Sequence, residues 1–265
     1  FTDIKNSPNA GSLMASLDGG LIFERQTSLF GRSMTQTLEP RVYYLFSQYE
    51  EQIFQPDFDT AELTFSYGQL FRDTRFSGND RLDDANQLSV GVTSRYFDNE
   101  TGEEKLSASL GQIYYFRDRE VRLNAFDPVL AENTSPLAGE FSWSPNPQWQ
   151  LRASALYDTN DNTFDAASAQ VTYFPWSGAV LNAGYTLREP PPSLLERPVT
   201  EQANVSAYAP ITDHWSVFGA LEYSLEGSTA VEDMVGFEYD NCCWRLRVLY
   251  AVSYTHLRAH ETRTY

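Results

Sequence analysis

The sequence lacks any long hydrophobic run, since no window approaches the ~18 consecutive apolar residues expected of a membrane-spanning helix. Its 265 residues are 42% hydrophobic, with a mean hydropathy of -0.43. This absence excludes a transmembrane helix but not a transmembrane β-barrel, because a barrel strand needs only about 9–11 residues with one apolar face. A signal-peptide pattern is also missing, which indicates either a cytosolic protein or an internal fragment, and we favour the fragment.

Basic residues are scarce as well. The chain has 19 Lys and Arg against 36 Asp and Glu, which gives a formal net charge of -17. Phosphate backbones are bound by clustered Lys and Arg, so this balance argues against a nucleic-acid partner. An acidic excess of this kind most simply keeps a protein soluble and monomeric.

Motifs that carry catalytic chemistry are also missing: there is no P-loop, no nucleophile elbow and no histidine-centred triad. His256 and His260 have a spacing that could place two metal ligands on one helical face, but they lie in a tail that breaks the pattern of the chain. The carboxylates from Asp158 to Asp165 resemble a calcium loop without its Gly and its terminal Glu, which indicates a hairpin turn. We therefore expect no catalytic residue, no metal site and no cofactor.

What the sequence does contain is alternation of apolar and polar residues along about a dozen segments of about ten residues, with no competing helical period. The chain is therefore predicted to be all-β, antiparallel and up-and-down. Residues 1–20 and 117–138 are expected to be irregular, and Pro40 predicts a bulge or a locally unpaired site because it cannot donate a ladder hydrogen bond. The predicted strands are 34–46, 63–67, 88–93, 106–116, 149–157, 167–173, 179–187, 203–209, 215–223, 231–239 and 244–250.

Two architectures fit this pattern. A soluble sandwich would share its apolar faces as a core, whereas a transmembrane barrel would turn them to lipid and line an aqueous lumen with the polar faces. Strand length favours the barrel, and Ala203, Ala207 and Ala209 would fill a sandwich core poorly. Aromatic residues near strand ends are typical of the girdles at the two membrane interfaces. These residues are Tyr114, Tyr115, Phe116, Trp143, Trp149, Tyr157, Tyr173, Phe174, Trp176, Trp215 and Tyr223.

The main break in the alternation is a polar loop after Tyr67 that is dense in Arg and Asp. Asp83 and Asp84 could form an acid–base constellation with the neighbouring arginines, but we favour a loop, solvated or lumenal, that is held by ion pairs. The charged residues that characterise this loop are Arg72, Asp73, Arg75, Asp80, Arg81, Asp83 and Asp84.

The chain has only two cysteines, and these are the adjacent Cys242 and Cys243. A disulfide between neighbours is strained, and on a strand the two side chains would leave opposite faces. In an oxidising compartment each cysteine would then need a distant partner, and this sequence contains none. The alternative is a pair of inert, buried thiols.

Several segments together resemble the barrel of the lipopolysaccharide-assembly outer-membrane protein family, LptD, also called the organic-solvent-tolerance family. The longest and most idiosyncratic is FDTAELTFSYGQLFRDTRFSGNDRLDDANQLSVGVTSR (58–95). The others are SLDGGLIFER (16–25), QTLEPRVYYL (36–45), SLGQIYYF (109–116) and the cysteine pair. The resemblance covers nearly everything up to about residue 252.

The resemblance implies a protein of the Gram-negative outer membrane, in which residues 1–252 are part of the C-terminal half of a very large β-barrel. In this family the barrel is plugged by a lipoprotein partner, LptE. It receives lipopolysaccharide from periplasmic bridge proteins and releases it sideways into the outer leaflet. Cys242 and Cys243 are implied to bond to cysteines of an N-terminal periplasmic domain. That domain, the first half of the barrel, its last strands and the lateral gate are expected to lie outside this sequence.

Residues 253–265 lose the alternation, and we expect a non-native or disordered tail there. The leading functional hypothesis is a translocon component that inserts lipopolysaccharide and makes or breaks no bond. One alternative is a general diffusion porin or other outer-membrane barrel, against which the cysteine pair counts. The other is a soluble β-rich carbohydrate-active enzyme, which would need two positioned carboxylates and would not depend on detergent for solubility. Candidate lumenal residues are Asn182, Thr186, Arg188, Gln202, Asn204 and Ser206.

Overall fold

The alternating segments form a single antiparallel sheet. The computed structural model describes residues 11–52, 55–124, 127–189 and 199–253, and across these ranges it contains thirteen strands and one short 3-10 helix. From β2 onward each strand pairs with the next strand in sequence, and β1 pairs with β3, which confirms the all-β, up-and-down prediction. The strands are β1 (Met14–Gly20), β2 (Phe23–Leu29), β3 (Arg32–Ser47), β4 (Ala85–Asp98), β5 (Glu104–Tyr115), β6 (Leu137–Asn146), β7 (Trp149–Asp158), β8 (Thr163–Tyr173), β9 (Val180–Arg188), β10 (Thr200–Pro210), β11 (Trp215–Ser224), β12 (Thr229–Asn241) and β13 (Trp244–Ser253).

The sheet is open. Its order is β1-β3-β4 and then strand by strand to β13, with β2 also beside β3. Within the described ranges β1 and β13 each pair on one side only, so the arrangement is that of a partial barrel rather than a closed one. The predicted loop at Pro190-Pro191-Pro192, and residues 254–265 with His256 and His260, lie outside the described residues.

β1 and β2 form one strand that is interrupted opposite Pro40. β1 pairs with β3 from Arg41 onward and β2 pairs with it up to Leu38. In an antiparallel ladder the N–H and C=O groups of one residue point toward the same neighbouring strand. Proline has no N–H, so Pro40 lacks a donor on the side to which its carbonyl points. The Pro40 carbonyl accepts from the Leu21 N–H at 3.1 Å, so the locally unpaired site is confirmed. The expected irregularity of residues 1–20 is wrong for Met14–Gly20, because the long β3 offers this polar, glycine-containing segment an edge to pair with.

The two sides of the sheet differ in composition. On β4, Val90 and Val92 are exposed, whereas Ser89 and Thr93 are buried on the other side. Cross-strand partners in a sheet point to the same side, so the pairing registers extend both surfaces across all the strands. We call the surface with Val90 the apolar face and the surface with Ser89 the polar face. The apolar face continues as Val42, Leu110, Leu181, Val205, Val217, Leu221, Val235, Phe237, Leu246 and Val248, all of them exposed.

The predicted strand 63–67 is wrong. Only Glu62 forms a bridge there, with Phe76, and Tyr67–Phe71 is a 3-10 helix. The side chains of Tyr67, Leu70 and Phe71 pack on the sheet, a spacing of three and four residues that the apparent alternation concealed. Among the described residues no helix is long and apolar enough to cross a membrane.

The connections differ between the two ends of the sheet. At one end of the sheet, which we call the turn end, two-residue turns connect β2 to β3, β6 to β7 and β12 to β13. The turn between β4 and β5 lies at the same end and contains Gly102 with φ 71. The long connections 48–84 and 116–136 both lie at the opposite end, the loop end. In outer-membrane barrels the short turns are periplasmic and the long loops extracellular.

Aromatic side chains of the apolar face gather at the turn end. Trp149 stacks on Tyr173 with ring centroids 4.3 Å apart, and Trp215 and Tyr239 are 4.9 Å apart. Tyr239 is in turn 4.8 Å from Trp244. This row has the position expected of one aromatic girdle.

Candidate functional site

The two long loops fold back across the polar face of β3–β6. We call the described residues of 55–84 and 116–136 the strap. Its main apolar contact is a cluster of Leu70, Ile113 and Ala138, of which Leu70 and Ala138 are fully buried. Phe65, Tyr67, Phe71, Tyr115 and Leu156 pack around this cluster. A loop that was predicted to be merely polar therefore has a hydrophobic underside.

A paired glycine site on the sheet receives the 3-10 helix. Gly91 of β4 lies directly opposite Gly111 of β5. A Cβ on Gly111 would lie 2.6 Å from Leu70 Cδ1, and a Cβ on Gly91 would lie 2.8 Å from Phe71 Cζ. The absence of two side chains creates the depression into which Leu70 and Phe71 fit. Glycine inside a strand often marks such a close approach, so the sequence did contain a signal for this site.

Polar contacts flank this depression. The Arg41 guanidinium carbon of β3 lies 4.3 Å from the centroid of the Phe71 ring, a cation–π contact. The Tyr67 hydroxyl is 3.1 Å from Thr93 Oγ1, which is itself 2.9 Å from Ser109 Oγ. The helix is thus fixed to β3, β4 and β5 at once.

Asp84 joins the two loops of the strap. Its carboxylate is fully buried and accepts from the backbone N–H groups of Glu120 at 2.9 Å and Val121 at 3.0 Å. Arg75 lies 3.6 Å away from one oxygen and Arg117 3.7 Å from the other. A buried carboxylate costs free energy unless it is paired and hydrogen-bonded, and Asp84 is both. One side chain therefore connects residues that are more than thirty positions apart in sequence.

Arg75 and Asp83 complete this ionic centre. Arg75 Nη1 lies 2.9 Å from Asp83 Oδ1, and the Arg75 N–H donates to Asp83 Oδ2 at 2.7 Å. Arg75 Nη2 also donates to the Val121 carbonyl. Burial raises the pKa of Asp83, and the nearby Arg75 charge opposes that rise.

The remaining charged residues of the predicted set have different environments. Arg81 is buried and donates to the carbonyls of Pro56 and Gln55 at 3.3 and 3.2 Å. Asp80 accepts from the N–H groups of Phe58 and Asp59, and these two hydrogen bonds lower the pKa of Asp80. Arg72 and Asp73 are exposed. The structure thus brings Arg75, Asp83 and Asp84 together, and it adds Gly91, Gly111 and Arg117, which sequence reasoning missed.

The six candidate lumenal residues lie beyond the strap, on β9 and β10. Asn182 pairs with Ser206, and Thr186 pairs with Gln202, so these side chains share one face. The Asn182 side chain accepts from Thr172 at 2.8 Å and donates to Ser206 at 3.2 Å. Arg188 and Asn204, which lie on the same face, are exposed. By the pairing registers this is the polar face, here not covered by the described parts of the strap.

The cysteines occupy the two-residue turn between β12 and β13, at the turn end. Both are exposed and free, and their Sγ atoms are 3.0 Å apart. The expected strand geometry, with side chains on opposite faces, is therefore wrong, because Asn241 and Trp244 close the hairpin directly around the pair. The alternative of two buried thiols is wrong as well.

Other candidate chemistry is accounted for locally. Asp158 Oδ1 accepts from the N–H groups of Asn160 at 2.6 Å and Asp161 at 3.3 Å, which confirms the predicted hairpin turn. In the described part of the chain no group of three His, Cys, Asp or Glu residues is arranged to hold a metal ion.

An up-and-down sheet with one apolar face, one polar face and an aromatic row at one end defines a segment of an outer-membrane type of β-barrel. The model of the family described as LptD, LPS transport system D, matches residues 2–215. The LPS-assembly protein LptD of Xanthomonas campestris pv. campestris (strain 8004) is 40% identical over 251 residues, which are 92% of this chain and 31% of that protein. The LptD of Hahella chejuensis is 39% identical over 237 residues, 88% of this chain and 28% of the relative.

The chain belongs to the LptD family. It spans 31% and 28% of the length of these two relatives, so it corresponds to less than a third of each. The LptD of Nitrosococcus oceani shows the same relation, with 40% identity over 89% of this chain and 31% of that protein.

Proposed function

We propose that this chain is part of a barrel that inserts lipopolysaccharide into the outer membrane of a Gram-negative bacterium and catalyses no reaction. The relatives are named LPS-assembly proteins, and this name is the first support. The observation that carries the proposal is the two-faced sheet, because an apolar face suits lipid while a polar face suits the saccharide and phosphate groups of the cargo.

The polar face divides into a covered part and an open part. The strap lies over β3–β6, and the open part includes the candidate lumenal residues of β9 and β10, of which Arg188 and Asn204 are exposed. We assign the open part to the lumenal route of lipopolysaccharide. The strap would cover the lumen from the extracellular side, because the long loops of such barrels are extracellular.

The cysteine turn is assigned to the periplasmic side by the same rule, since it lies at the turn end. There Cys242 and Cys243 would form disulfides with cysteines of an N-terminal periplasmic domain of the full-length protein. Their exposure and the absence of other cysteines in this sequence support that assignment. A plug lipoprotein of the LptE type and the periplasmic bridge proteins are the further partners that we propose.

The experiment is site-specific photo-crosslinking in cells that carry the full-length protein. A photoreactive residue replaces Asn204 on the polar face or, as a matched control, the adjacent Val205 on the apolar face, both of which are exposed. We expect lipopolysaccharide adducts at position 204 that disappear when the periplasmic supply is depleted. Adducts at position 205 should persist, because this residue meets lipopolysaccharide already in the membrane. Adducts at position 204 that ignore the supply would contradict the proposal, and adducts at position 205 alone would favour a diffusion porin, whose lumen carries no lipopolysaccharide.

A further inference from the structure

Two charge pairs bridge β12 and β13 next to the cysteine turn. Glu238 is the cross-strand partner of Arg247, and Asp240 is the partner of Arg245, all on the polar face. Arg247 Nη2 lies 2.6 Å from Glu238 Oε2, and Arg245 Nη2 lies 2.5 Å from Asp240 Oδ2. Arg245 Nε is also 3.6 Å from Glu238 Oε1, so the four side chains form a ladder.

Glu238 is the anchor of this ladder. Its side chain is only 7% exposed, whereas those of Arg245 and Arg247 are 61% and 55% exposed. The Arg247 guanidinium also lies 5.3 Å from the ring centroid of Phe218 on β11, which ties the ladder to the next strand. A largely buried carboxylate with two arginines holds its partners more firmly than an exposed pair does.

Within the described residues β13 has few restraints besides the ladder and the turn. Within the described residues its only strand partner is β12, and every residue of β13 except Val252 is exposed. Register is weakly specified where packing on a strand is sparse, and a slip of one residue would move every side chain to the other face. The ladder and the turn are therefore the features that select the register of this hairpin.

Only the observed register satisfies both charge pairs. A slip of one residue would place Val248 opposite Glu238. A slip of two residues away from the turn would place Arg245 opposite Glu238, but it would leave Arg247 facing Gly236 and draw Cys243 into the ladder opposite Asp240. In either case Cys242 and Cys243 would no longer form the two-residue turn that Asn241 and Trp244 now close.

We propose that Glu238 and Asp240 are positioning residues for disulfide formation, because their pairs with Arg247 and Arg245 fix the register that exposes Cys242 and Cys243. This inference rests on the disulfides of the proposed function. Each new bond would form by exchange with a disulfide-bearing oxidant of the periplasm. One thiolate attacks that disulfide and a second thiolate displaces the mixed intermediate, so two thiols are oxidised and the oxidant is reduced to a dithiol.

The test is a pulse-chase of the full-length protein on non-reducing gels, with heat-modifiable mobility as a separate measure of the folded barrel. We expect the double variant Glu238→Gln, Asp240→Asn to form the native disulfide pattern about fivefold to tenfold more slowly, and to accumulate other cysteine pairings. The charge swap Glu238→Arg with Arg247→Glu should restore at least half of the rate. Asp18→Asn removes the pair of Asp18 with Arg41 on β1 and β3 and should leave the rate unchanged.

Three results would overturn the inference: an unchanged rate in the double variant, a loss in Asp18→Asn of equal size, or a folded charge swap that stays slow. If the double variant does not reach the folded form, the charge swap alone decides: a rate of at least half the parent rate supports the inference, and a lower rate in the folded protein overturns it. The proposed disulfide itself has a separate test. If Cys242→Ser with Cys243→Ser leaves the non-reducing mobility of the full-length protein unchanged, the cysteine assignment fails whatever the ladder does.

Discussion

Replacement of Asp84 by Asn should release the strap from the sheet. The carboxylate accepts two backbone N–H groups, one on each oxygen, from Glu120 and Val121. An amide of the same shape has one acceptor oxygen, so its NH2 group would face one of those donors. One buried backbone N–H would then lack a partner, and the charge that attracts Arg75 and Arg117 would be lost.

The change in the free energy of strap opening can be worked out from these two losses. An unpaired buried donor costs about 1–3 kcal/mol, and the loss of a charged hydrogen-bond acceptor adds about as much. We expect Asp84→Asn to reduce the free energy of strap opening by about 2–6 kcal/mol. Because about 1.4 kcal/mol is a factor of ten, the open population should rise by about 30-fold or more.

Hydrogen exchange measured by mass spectrometry on the full-length protein in detergent is the assay. The probes are the N–H groups of Val121, which donates to Asp84, and Leu63, which donates to the Arg75 carbonyl at 2.8 Å. Both should lose about 30-fold in protection, while β9 and β10 should be unaffected. Asp240→Asn, which breaks an exposed pair on β12 and β13 that involves no strap residue, should change strap protection less than about threefold. Equal protection in Asp84→Asn and the parent protein would refute the role of Asp84.

Three further outcomes are expected. Gly111→Val should displace Leu70 and destabilise the folded barrel by about 1–3 kcal/mol through overpacking, seen as a lower temperature for the loss of heat-modifiable mobility. Burial raises the pKa of Asp83, so the ionised form of this carboxyl destabilises the folded strap at a pH above the folded pKa. The carboxyl becomes protonated as the pH falls through that value, and the destabilisation is then lost. Strap protection, corrected for intrinsic exchange, should therefore rise on acidification in the parent and not in Asp83→Asn. Trp149→Ala should remove a stack on Tyr173 worth about 0.5–1.5 kcal/mol beyond its buried area, and thermal melting in detergent would reveal the loss.

The strands were predictable because each one separates two environments. From β7 to β13 the alternation of residues such as Leu181 and Asn182 specifies which side chains share a face, and the registers follow from short turns. The hairpin at Gly102 was predictable for a local reason, since its positive φ favours glycine. In these regions neighbouring residues alone decide the structure.

The prediction failed where distant residues decide. Residues 63–67 alternate like a strand, but the paired glycines of β4 and β5 bind Leu70 and Phe71, and that gain outweighs the strand preference of the segment. The partners of Asp84 are backbone groups, which have no signature in a sequence. The cysteine turn was missed because cysteine is not a typical turn residue, and the register that closes the hairpin around the pair depends on cross-strand partners.

The apolar face and the edges of the sheet determine the surroundings in which the sheet is stable. Exposed Val, Leu and Phe side chains cover the apolar face from Val42 to Val248, and in water an apolar surface of that extent favours association. Lipid removes this problem but creates another, because unpaired N–H and C=O groups at a sheet edge are not tolerated in hydrocarbon. Within the described residues β1, β2 and β13 present such edges. A sheet of this composition is therefore stable in a membrane only when further strands complete the ring, and the greater length of the relatives is consistent with that requirement.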